Sequence, residues 1–541
     1  MSLSRRELLA AFLGLPAALA GCSVKRPPLP DGELVGPSIN IGHRLRDGWR
    51  PRPECWEEIP VVIVGGGVAG LSAAWRLRRD GFERFALLEL ERELGGTARS
   101  GGGPNGAFPW GAHYIPAPLA HHHLTIELLK ELGAIDGVEA DGSPRIAEEM
   151  LCRDPHERIF FRGRWYEGLY LHAGQNAEDI RQFQQFRQEI DRCVSWRDGH
   201  GRRAFTIPAA LSSDDPEATA LDRESVAGWL DRHGFTSPRL RWLLEYACRD
   251  DYGTLAEDTS AWAGLFYFAA RMSGPGVEAQ PLLTWPEGNG RFVRHFVERA
   301  REQMQPSWAA AEIVPGERFI EVTAVSTASD AVKGFRAQNV ICAAPRYTTK
   351  HLVRDFRVDP PRYFDEFEYG SWAVANLHMR DRPTEVGFPM AWDNVLYESP
   401  SLGYVVNTHQ RGLDEGPTTL TWYYPLCDAD PKAARAKLLG SSWADWAEIA
   451  LADLTPAHAN IRELVHRLDV VRWGHAMVRP KPGFIWSSAR RQAAKPYRGI
   501  HFAGADLSGL PLFEEALYHG VRAAEEVLTA RGELRRSMMS G

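Results

Sequence analysis

The sequence predicts an α/β protein built around a parallel sheet, and three neighbouring features carry that prediction. Residues 61–64 are a run of β-branched side chains, as a strand buried on both faces requires. A glycine-rich turn over residues 65–70 follows at once, and small or apolar residues then recur at helical spacing up to Leu77. A second apolar stretch at 85–88 completes a strand–helix–strand unit, the building block of a doubly wound sheet.

The length and composition are those of a globular chain. The 541 residues are enough for two or three domains, and 44% hydrophobic with 25% charged residues is an ordinary balance. The 63 basic and 70 acidic residues leave a formal net charge of −7. Because nucleic-acid backbones are bound through an excess of basic side chains, we expect no nucleic-acid partner.

The turn at 65–70 reads Gly-Gly-Gly-Val-Ala-Gly and matches the G-x-G-x-x-G pattern of dinucleotide-binding proteins. Gly65 permits the tight turn, Gly67 lets the backbone approach a pyrophosphate, and Gly70 lets the helix pack on the strand. The N–H groups that begin the helix would then meet the phosphates. Glu89 follows the second strand about 20 residues later, where its carboxylate is placed to accept hydrogen bonds from ribose hydroxyls.

Five further segments resemble motifs of the flavin amine oxidase and phytoene desaturase superfamily, which binds FAD. Residues 91–99 (Glu-Arg-Glu-Leu-Gly-Gly-Thr-Ala-Arg) resemble its second glycine pair, and residues 111–115 resemble its segment passing the flavin ring. Residues 285–290 and 339–345 resemble its internal helix entry and its Ala-Pro loop, and residues 499–506 resemble its second FAD motif. The resemblance therefore implies FAD as the cofactor.

The resemblance also implies a Rossmann-type FAD-binding domain interleaved with an α+β substrate domain. We expect residues 59–116, 285–350 and 470–531 to form the FAD-binding domain, and residues 117–284 and 351–469 the substrate domain. No cysteine lies between positions 473 and 506, where members with covalent flavin carry one, so non-covalent FAD is expected. Carried over motif by motif, the predicted cofactor-binding residues are Gly65, Gly67, Val68, Ala69, Gly70, Glu89, Gly95, Gly96, Thr97, Arg99, Gly504 and Asp506.

A core strand of the amine-oxidising members carries a lysine that holds a water near the flavin. The matching strand here is residues 369–377, and it has Ala373 or Val374 at the lysine position. This departure leaves open desaturation, isomerisation or an electron acceptor other than oxygen.

Aromatic walls above the flavin are expected from the last strands before the second FAD motif. The segment that begins at Trp473 resembles the family's Trp-x-x-Ala-x-Pro stretch. We therefore predict Tyr423, Trp473 and His475 as catalytic residues, with Trp422 and Trp486 as further candidates. The alternative for each aromatic residue is an ordinary place in the core.

Two polar clusters allow both a functional and a structural interpretation. Residues 249–253, Arg-Asp-Asp-Tyr-Gly, would pair with an ammonium group if they faced the substrate, and otherwise form a solvated helix end. Residues 121–123 are three histidines, but consecutive residues on a helix point in different directions and no carboxylate set accompanies them. We predict a solvated helix start there and no metal site.

Residues 1–22 resemble an export signal. Arg5 and Arg6 precede a leucine-rich run as in twin-arginine signals, and residues 19–22 (Leu-Ala-Gly-Cys) resemble a lipobox, in which Cys22 is acylated. The resemblance implies the twin-arginine export machinery as a partner and a lipid anchor in a membrane on the periplasmic side.

The residue after the lipobox, Ser23, favours the outer membrane. Residues 23–58 are predicted to form a tether, with Trp49 and Trp56 as its anchor points on the domain, and residues 532–541 a C-terminal tail.

Three functions remain open from the sequence. The first is oxidation of a small amine, such as a polyamine, by an exported FAD-dependent oxidoreductase. The second is desaturation or isomerisation of an apolar substrate, and the third is flavin binding or electron transfer without turnover. A cavity lined with Asp and Glu would favour the first, a wide apolar tunnel the second, and a sealed flavin the third.

Overall fold

The computed structural model describes residues 27–140, 142–329 and 331–539. The predicted signal, including Cys22, lies outside the described residues. The strands are β1 (Leu34–Val35), β2 (Trp56–Val64), β3 (Phe85–Leu88), β4 (Ser100–Gly103), β5 (Gly106–Pro109), β6 (Tyr114–Pro116), β7 (Ile135–Val138), β8 (Pro144–Ile146), β9 (Glu157–Phe161), β10 (Arg164–Glu167), β11 (Leu282–Thr284), β12 (Met304–Gln305), β13 (Trp308–Pro315), β14 (Ile320–Ser326), β15 (Val332–Cys342), β16 (Tyr369–Met379), β17 (Asp393–Leu396), β18 (Tyr404–Val406), β19 (Thr418–Pro425), β20 (Val465–Val478) and β21 (Ile500–Phe502).

Helices connect and cover these strands. They are α1 (Ile39–Arg46), α2 (Val68–Arg79), α3 (His123–Glu131), α4 (Ala177–Ser195), α5 (Pro216–Ala220), α6 (Val226–Arg232), α7 (Pro238–Tyr252), α8 (Ala261–Ala269), α9 (Gly290–Arg299), α10 (Arg346–Leu352), α11 (Arg354–Val358), α12 (Pro431–Gly440), α13 (Trp443–Leu454), α14 (Ile461–Leu464), α15 (Ser488–Ala493) and α16 (Phe513–Ala530).

A seven-stranded sheet carries the glycine turn. Strands β12, β3, β2, β15 and β21 run parallel, and β15, β14 and β13 continue the sheet as an antiparallel meander. Strand β2 lies between β3 and β15, and because successive side chains of a strand point to opposite faces, Val61 and Val62 are buried in two different apolar clusters. The predicted α/β fold class is confirmed.

Helix α2 makes unusually close backbone contacts with the glycine turn and with helix α16. A Cβ atom on Gly70 would lie 1.9 Å from the carbonyl oxygen of Gly65, and a Cβ atom on Gly520 would lie 2.2 Å from that of Ala69. Helix α2 therefore approaches both the turn and α16 more closely than any larger residue allows. These contacts hold the first turn of α2 directly beside the glycine-rich loop.

A second, eight-stranded sheet has the order β1-β20-β16-β19-β18-β17-β9-β10. Its central strand β16 pairs antiparallel with both β20 and β19, and every residue of the strand is buried. Ala373 lies in one apolar cluster with Trp446 of α13, whereas Val374 lies in another cluster on the opposite face. That second face borders the cavity described below.

The interleaved domain boundaries remain predictions. The region 117–284 holds α3 to α8, as its predicted helical character requires, but also β7 to β11. The predicted boundary at residue 470 falls inside β20, which belongs to the eight-stranded sheet.

Much of the predicted tether lies along the domain. Strand β1 pairs parallel with β20, and Leu45 of α1 packs against Ala309 and Val325. The guanidinium carbon of Arg44 lies 3.7 Å from the centroid of the Trp49 ring. Over residues 27–140, 142–329 and 331–539, no helix combines the length and apolar character needed to cross a bilayer.

Candidate active site

The glycine turn leaves an open space beside the start of α2. A Cβ atom on Gly67 would have only the Cα atom of Gly96 near it, 4.0 Å away, whereas one on Gly66 would lie 2.4 Å from the side chain of Leu94. The N–H of Gly95 donates to the carbonyl oxygen of Gly66 at 2.8 Å and fastens the two glycine segments together. The space between them is bordered by backbone and suits a pyrophosphate group.

Glu89 lies directly beside this turn. Its carboxylate accepts hydrogen bonds from the backbone N–H groups of Gly66 at 2.6 Å and Glu91 at 2.9 Å. Burial raises the pKa of Glu89, and the two N–H groups oppose that rise. Val68 and Ala69 form the first turn of α2, with Gly67 as its N-cap. The predicted ribose acid is therefore held in a fixed orientation against the predicted phosphate loop.

Asp506 is fixed in a similar way after β21. Its Oδ2 atom accepts hydrogen bonds from the hydroxyl of Tyr369 at 2.7 Å and the backbone N–H of Arg346 at 2.8 Å. Gly504 has a φ of 152°, and a Cβ atom there would lie 2.6 Å from Oδ1 of Asp506. Only glycine fits at that position while the carboxylate keeps its place.

Arg99 carries polar atoms without partners. Its side chain is buried, and its Nε and Nη2 atoms have no hydrogen-bond partner in the part of the chain that the structure describes. Its guanidinium carbon lies 5.0 Å from the centroid of the Trp473 ring. Unpaired buried donors are costly unless a ligand supplies acceptors, and the ring carbonyls of a flavin are such acceptors. The predicted cofactor-binding residues therefore fit FAD.

A cavity of about 150 Å³ opens beside these segments, bordered by Thr97 and Gly111. The eight-stranded sheet contributes aromatic walls from Tyr423 and Trp473. The Tyr423 ring stacks on the ring of His113 with centroids 4.8 Å apart. Two of the three residues predicted as catalytic thus lie at one cavity.

The structure does not bring His475 into that cavity. Strand β20 has three residues, 474–476, opposite the single residue Ser371 of β16, so the regular alternation of side chains is broken. His475 stacks instead on Tyr347, with ring centroids 3.9 Å apart, and burial lowers the pKa of its imidazole to about 3. No sequence pattern indicates a bulge of this kind.

The two further aromatic candidates also lie elsewhere. The indole Nε1 of Trp422 donates to Asp453 at 2.8 Å, on the face of β19 opposite to Tyr423. Trp486 packs edge-on against Trp262 with ring centroids 5.5 Å apart. Trp422 and Trp486 therefore pack in the protein core, which is the alternative stated for the aromatic candidates in the sequence analysis.

Helix α7 ends at the cavity and supplies an acidic wall. Asp250 and Asp251 both line the cavity, and Asp251 pairs with Arg271 at 2.5 Å while accepting a hydrogen bond from Tyr114 at 3.1 Å. Burial, assisted by the charge of Asp251, raises the pKa of Asp250 to about 7. The alternative of a solvated helix end is therefore wrong.

Two more carboxylic acids, missed by sequence reasoning, stand behind this wall. Glu157 of β9 and Asp393 of β17 lie in register on adjacent parallel strands. Burial raises the pKa of each, and the charge of Asp250 raises the pKa of Asp393 further. Asp393 also accepts a hydrogen bond from the hydroxyl of Tyr246 at 3.3 Å. Their only sequence signal is a carboxylate at the first position of a short strand.

Val374 lines the cavity, on the strand where related amine oxidases are expected to carry lysine. The three histidines at 121–123 lie at the start of α3, outside the cavity lining. Over the described ranges, no group of three His, Cys, Asp or Glu side chains is arranged to hold a metal ion.

Comparison with known proteins supports an assignment to a family. The family described as "Flavin containing amine oxidoreductase" matches residues 68–528. A peroxisomal N(1)-acetyl-spermine/spermidine oxidase of Bos taurus is 44% identical over 59 residues, which are 11% of this chain and 12% of that protein. A protoporphyrinogen oxidase of Homo sapiens is 41% identical over 75 residues, 14% of this chain and 16% of that protein. The chain thus aligns with less than a fifth of either relative's length.

Solved structures agree on the fold over a longer stretch. A putrescine oxidase bound to putrescine has a TM-score of 0.62 at 15% identity, covering 88% of this chain and all of that one. A cyclohexylamine oxidase from Brevibacterium oxydans has a TM-score of 0.61 at 15% identity with the same coverage. A fatty acid isomerase from P. acnes has a TM-score of 0.59 at 13% identity, covering 87% of this chain and 98% of that one. Since the family match spans most of the chain, the protein belongs to the flavin-containing amine oxidoreductase family, with FAD as its cofactor.

Proposed function

We propose that this protein oxidises a small cationic amine, with di- and polyamines as its substrate class. The observation that carries the proposal is the imbalance of charge at the cavity. Asp250 and Asp251 line it and Glu157 and Asp393 lie behind them, while Arg271 is the only arginine or lysine that lines it among the described residues. A buried excess of carboxylates is stabilised by a bound cation.

The walls of the cavity restrict how such an amine lies. Trp473 is held by a hydrogen bond from its Nε1 atom to the carbonyl oxygen of Trp110, 2.7 Å away, and Trp372 pairs with it across the strands. These rigid rings confine the carbon chain of the amine, while the acidic wall attracts an ammonium group. FAD, when bound, accepts the hydride from the amine carbon.

The names of the similar proteins support this substrate class. Two of the three solved structures above are named as oxidases of amines, putrescine and cyclohexylamine, and the bovine relative is named as an oxidase of spermine and spermidine derivatives. The acidic cavity favours this reaction over the desaturation or isomerisation of an apolar substrate.

Anaerobic reduction of the flavin tests the proposal. Putrescine, spermidine, butylamine and linoleic acid are added in turn to the purified holoenzyme, and the flavin band near ~450 nm is followed. We expect bleaching by the two polyamines, slower bleaching by the monoamine and none by the fatty acid. Asp250→Asn should weaken the polyamine response, whereas Asp136→Asn, an exposed residue, should leave it unchanged. Bleaching by linoleic acid alone would establish the isomerase or desaturase class instead.

We further propose an electron acceptor other than oxygen, because the position expected to hold lysine is Ala373 or Val374, and Val374 is the one of the two that lines the cavity. The amine-reduced enzyme should regain its flavin band slowly in air and rapidly with a quinone or a dye. Val374→Lys should accelerate the reaction with oxygen, and rapid reoxidation of the wild type in air would contradict the proposal.

We also propose export by the twin-arginine machinery and a lipid anchor at Cys22 on the periplasmic side, in the outer membrane. The support is the sequence pattern around Arg5, Arg6 and Cys22. Cys22→Ser should abolish incorporation of labelled palmitate and release the protein from membranes. Replacing both arginines with lysine should keep the protein in the cytoplasm, and unchanged fractionation of both variants would refute the assignment.

A further inference from the structure

One carboxylic acid at the cavity has no partner. Glu514, in the first turn of α16, is 7% exposed and lines the cavity together with Phe513. Across the described residues, its carboxylate has no hydrogen-bond partner beyond its own backbone N–H. By contrast, Asp251 pairs with Arg271.

The adjacent glutamate shows what a structural role looks like here. Glu515 accepts hydrogen bonds from the hydroxyl of Ser508 and from the backbone N–H of Ala209, the latter at 2.6 Å. Its carboxylate is therefore occupied in joining α16 to the loop that precedes α5. Glu514 makes no such connection, although it lies one residue away and is almost as deeply buried.

The far side of Glu514 borders a second, smaller cavity of about 20 Å³. This space is enough for one water molecule. Its lining includes the three histidines of the sequence run, His121, His122 and His123. His123 is exposed at the surface, His121 is half-buried, and His122 is buried with its Nδ1 accepting the N–H of Leu119 at 3.1 Å. Glu514 thus separates the amine cavity from a histidine-lined route to solvent.

Amine oxidation creates a proton that this route can carry. The nitrogen of the substrate needs a free lone pair when hydride leaves the neighbouring carbon, so an ammonium group must first lose a proton. The aromatic and apolar walls cannot accept that proton, and of the acids in the lining Asp251 pairs with Arg271 while Asp250 accepts a hydrogen bond from the hydroxyl of Tyr114 at 3.4 Å. A base within the cavity is required.

On the basis of the proposed function, we propose that Glu514 is this base and that the histidine-lined cavity is its proton exit. The N–H bond of the substrate ammonium breaks and an O–H bond forms on the Glu514 carboxylate, leaving a neutral amine. The C–H electron pair then passes to FAD as hydride, and an iminium ion remains. The proton on Glu514 leaves through the small cavity, past His121 and His123, to solvent, and the carboxylate is restored.

The charges that face Glu514 suit this role. Burial raises the pKa of Glu514 to about 7; Arg271 opposes the rise, and Asp251 and the neighbouring Glu515 add to it. Directly before α3, burial lowers the pKa of His121 to about 4 and that of His122 well below its ordinary value, so both imidazoles are neutral near pH 7. Neither His121 nor His122 therefore carries a positive charge that would hold the Glu514 carboxylate in its ionised form, and the acid can both gain and lose a proton near neutrality.

The first experiment is anaerobic flavin reduction by spermidine in the wild type, Glu514→Gln and Glu514→Asp, followed against pH. We expect the Gln variant to be slower by about 100-fold or more near pH 7.5, the scale of general-base catalysis. Its rate should rise with the free-amine fraction of the substrate and approach the wild-type rate at high pH. The Asp variant should be reduced at an intermediate rate, and that rate should still change with pH near pH 7 as in the wild type. Glu149→Gln, an exposed glutamate, should match the wild type.

A second experiment measures the protonation of Glu514 directly, without substrate turnover. Asp250 and Glu515 also have pKa values of about 7, so the Glu514 signal is taken from infrared difference spectra of the unreduced holoenzymes, wild type minus Glu514→Gln. The difference should contain a carboxylic acid band that titrates near pH 7 and shifts in D₂O. If Glu514→Gln fails to fold, the difference between the wild type and Glu514→Asp should contain a shifted band of the same kind, and its absence would overturn the assigned base. A wild type that no amine reduces would overturn the proposed function and this inference with it. Reduction of Glu514→Gln at the wild-type rate at every pH would overturn the base alone.

The exit is tested separately with His121→Gln/His123→Gln. A single flavin reduction should proceed at the wild-type rate, because the first proton can remain on Glu514. Steady-state turnover with dichlorophenolindophenol as acceptor should fall several-fold, since each later cycle needs a deprotonated Glu514. His200→Gln, at an exposed position, is the control. Unchanged steady-state turnover in the double variant would overturn the assigned exit.

Discussion

The hydroxyl of Tyr423 donates a hydrogen bond to the carbonyl oxygen of Gly111, 2.9 Å away. This bond joins strand β19 of the eight-stranded sheet to the segment predicted to pass the flavin ring. Burial and the nearby charge of Asp393 raise the pKa of Tyr423 well above its usual range. Tyr423 therefore forms a fixed wall of the cavity and keeps its proton, and we predict that its hydroxyl positions this wall and takes no part in the reaction.

Tyr423→Phe should lower stability more than activity. The substitution leaves a carbonyl oxygen without its partner, which costs about 1–3 kcal/mol when the group is buried. We expect a lower Tm, retained flavin, and a flavin-reduction rate within a few-fold of the wild type. A large loss of rate at an unchanged Tm would instead assign the hydroxyl a role in the reaction.

Two glycine substitutions should separate cofactor binding from folding. A Cβ atom on Gly67 meets nothing closer than 4.0 Å, so Gly67→Ala should fold normally but block the space meant for the pyrophosphate. Gly70→Ala places its methyl group 1.9 Å from the Gly65 carbonyl oxygen and should fail to fold or be strongly destabilised. The measurements are circular dichroism for the fold and the visible spectrum for flavin content. Full flavin in Gly67→Ala would refute the assigned phosphate position.

Arg99→Met should have opposite effects on the apoprotein and the holoenzyme. Methionine removes a buried charge whose Nε and Nη2 atoms lack partners, so the apoprotein should gain stability. The same change removes donors that we assign to the flavin, so FAD affinity should fall by about tenfold or more, equivalent to about 1.4 kcal/mol. Tm of the FAD-free protein and a titration with FAD give the two quantities. A loss of Tm without a loss of FAD affinity would show that Arg99 has a structural partner instead.

Asp250→Asn should stabilise the protein at neutral and alkaline pH. Asp250 keeps its proton to about pH 7 in the folded protein, whereas an unfolded chain loses it near the ordinary value of 3.8. Between these values the folded state binds more protons, so the contribution of Asp250 to the free energy of unfolding falls as pH rises from about 4 to about 7. The Tm of the Asn variant should therefore exceed that of the wild type above about pH 7 and match it below about pH 4. An offset independent of pH would contradict the raised pKa.

Local sequence determined the cofactor site. The phosphate loop, Glu89 and the glycine pair at 95–96 all lie between residues 65 and 96, and their geometry depends on backbone freedom, which glycine positions reveal directly. The fold class followed from the same segment, because a buried β-branched strand, a glycine turn and a helix occur together in one architecture.

The tertiary structure alone decided the chemistry of the cavity. Its acids come from α7, β9, β17 and α16, which are remote in sequence and meet only when both sheets and the helical layer are packed. The orientation of His475 depends on a bulge in β20, and no residue type in this segment predicts that bulge. Burial and the charge of neighbouring carboxylates, which raise the pKa values of Asp250 and Glu514, exist only in the folded protein. The sequence therefore predicted the flavin, whereas the proposed substrate class depends on the folded cavity.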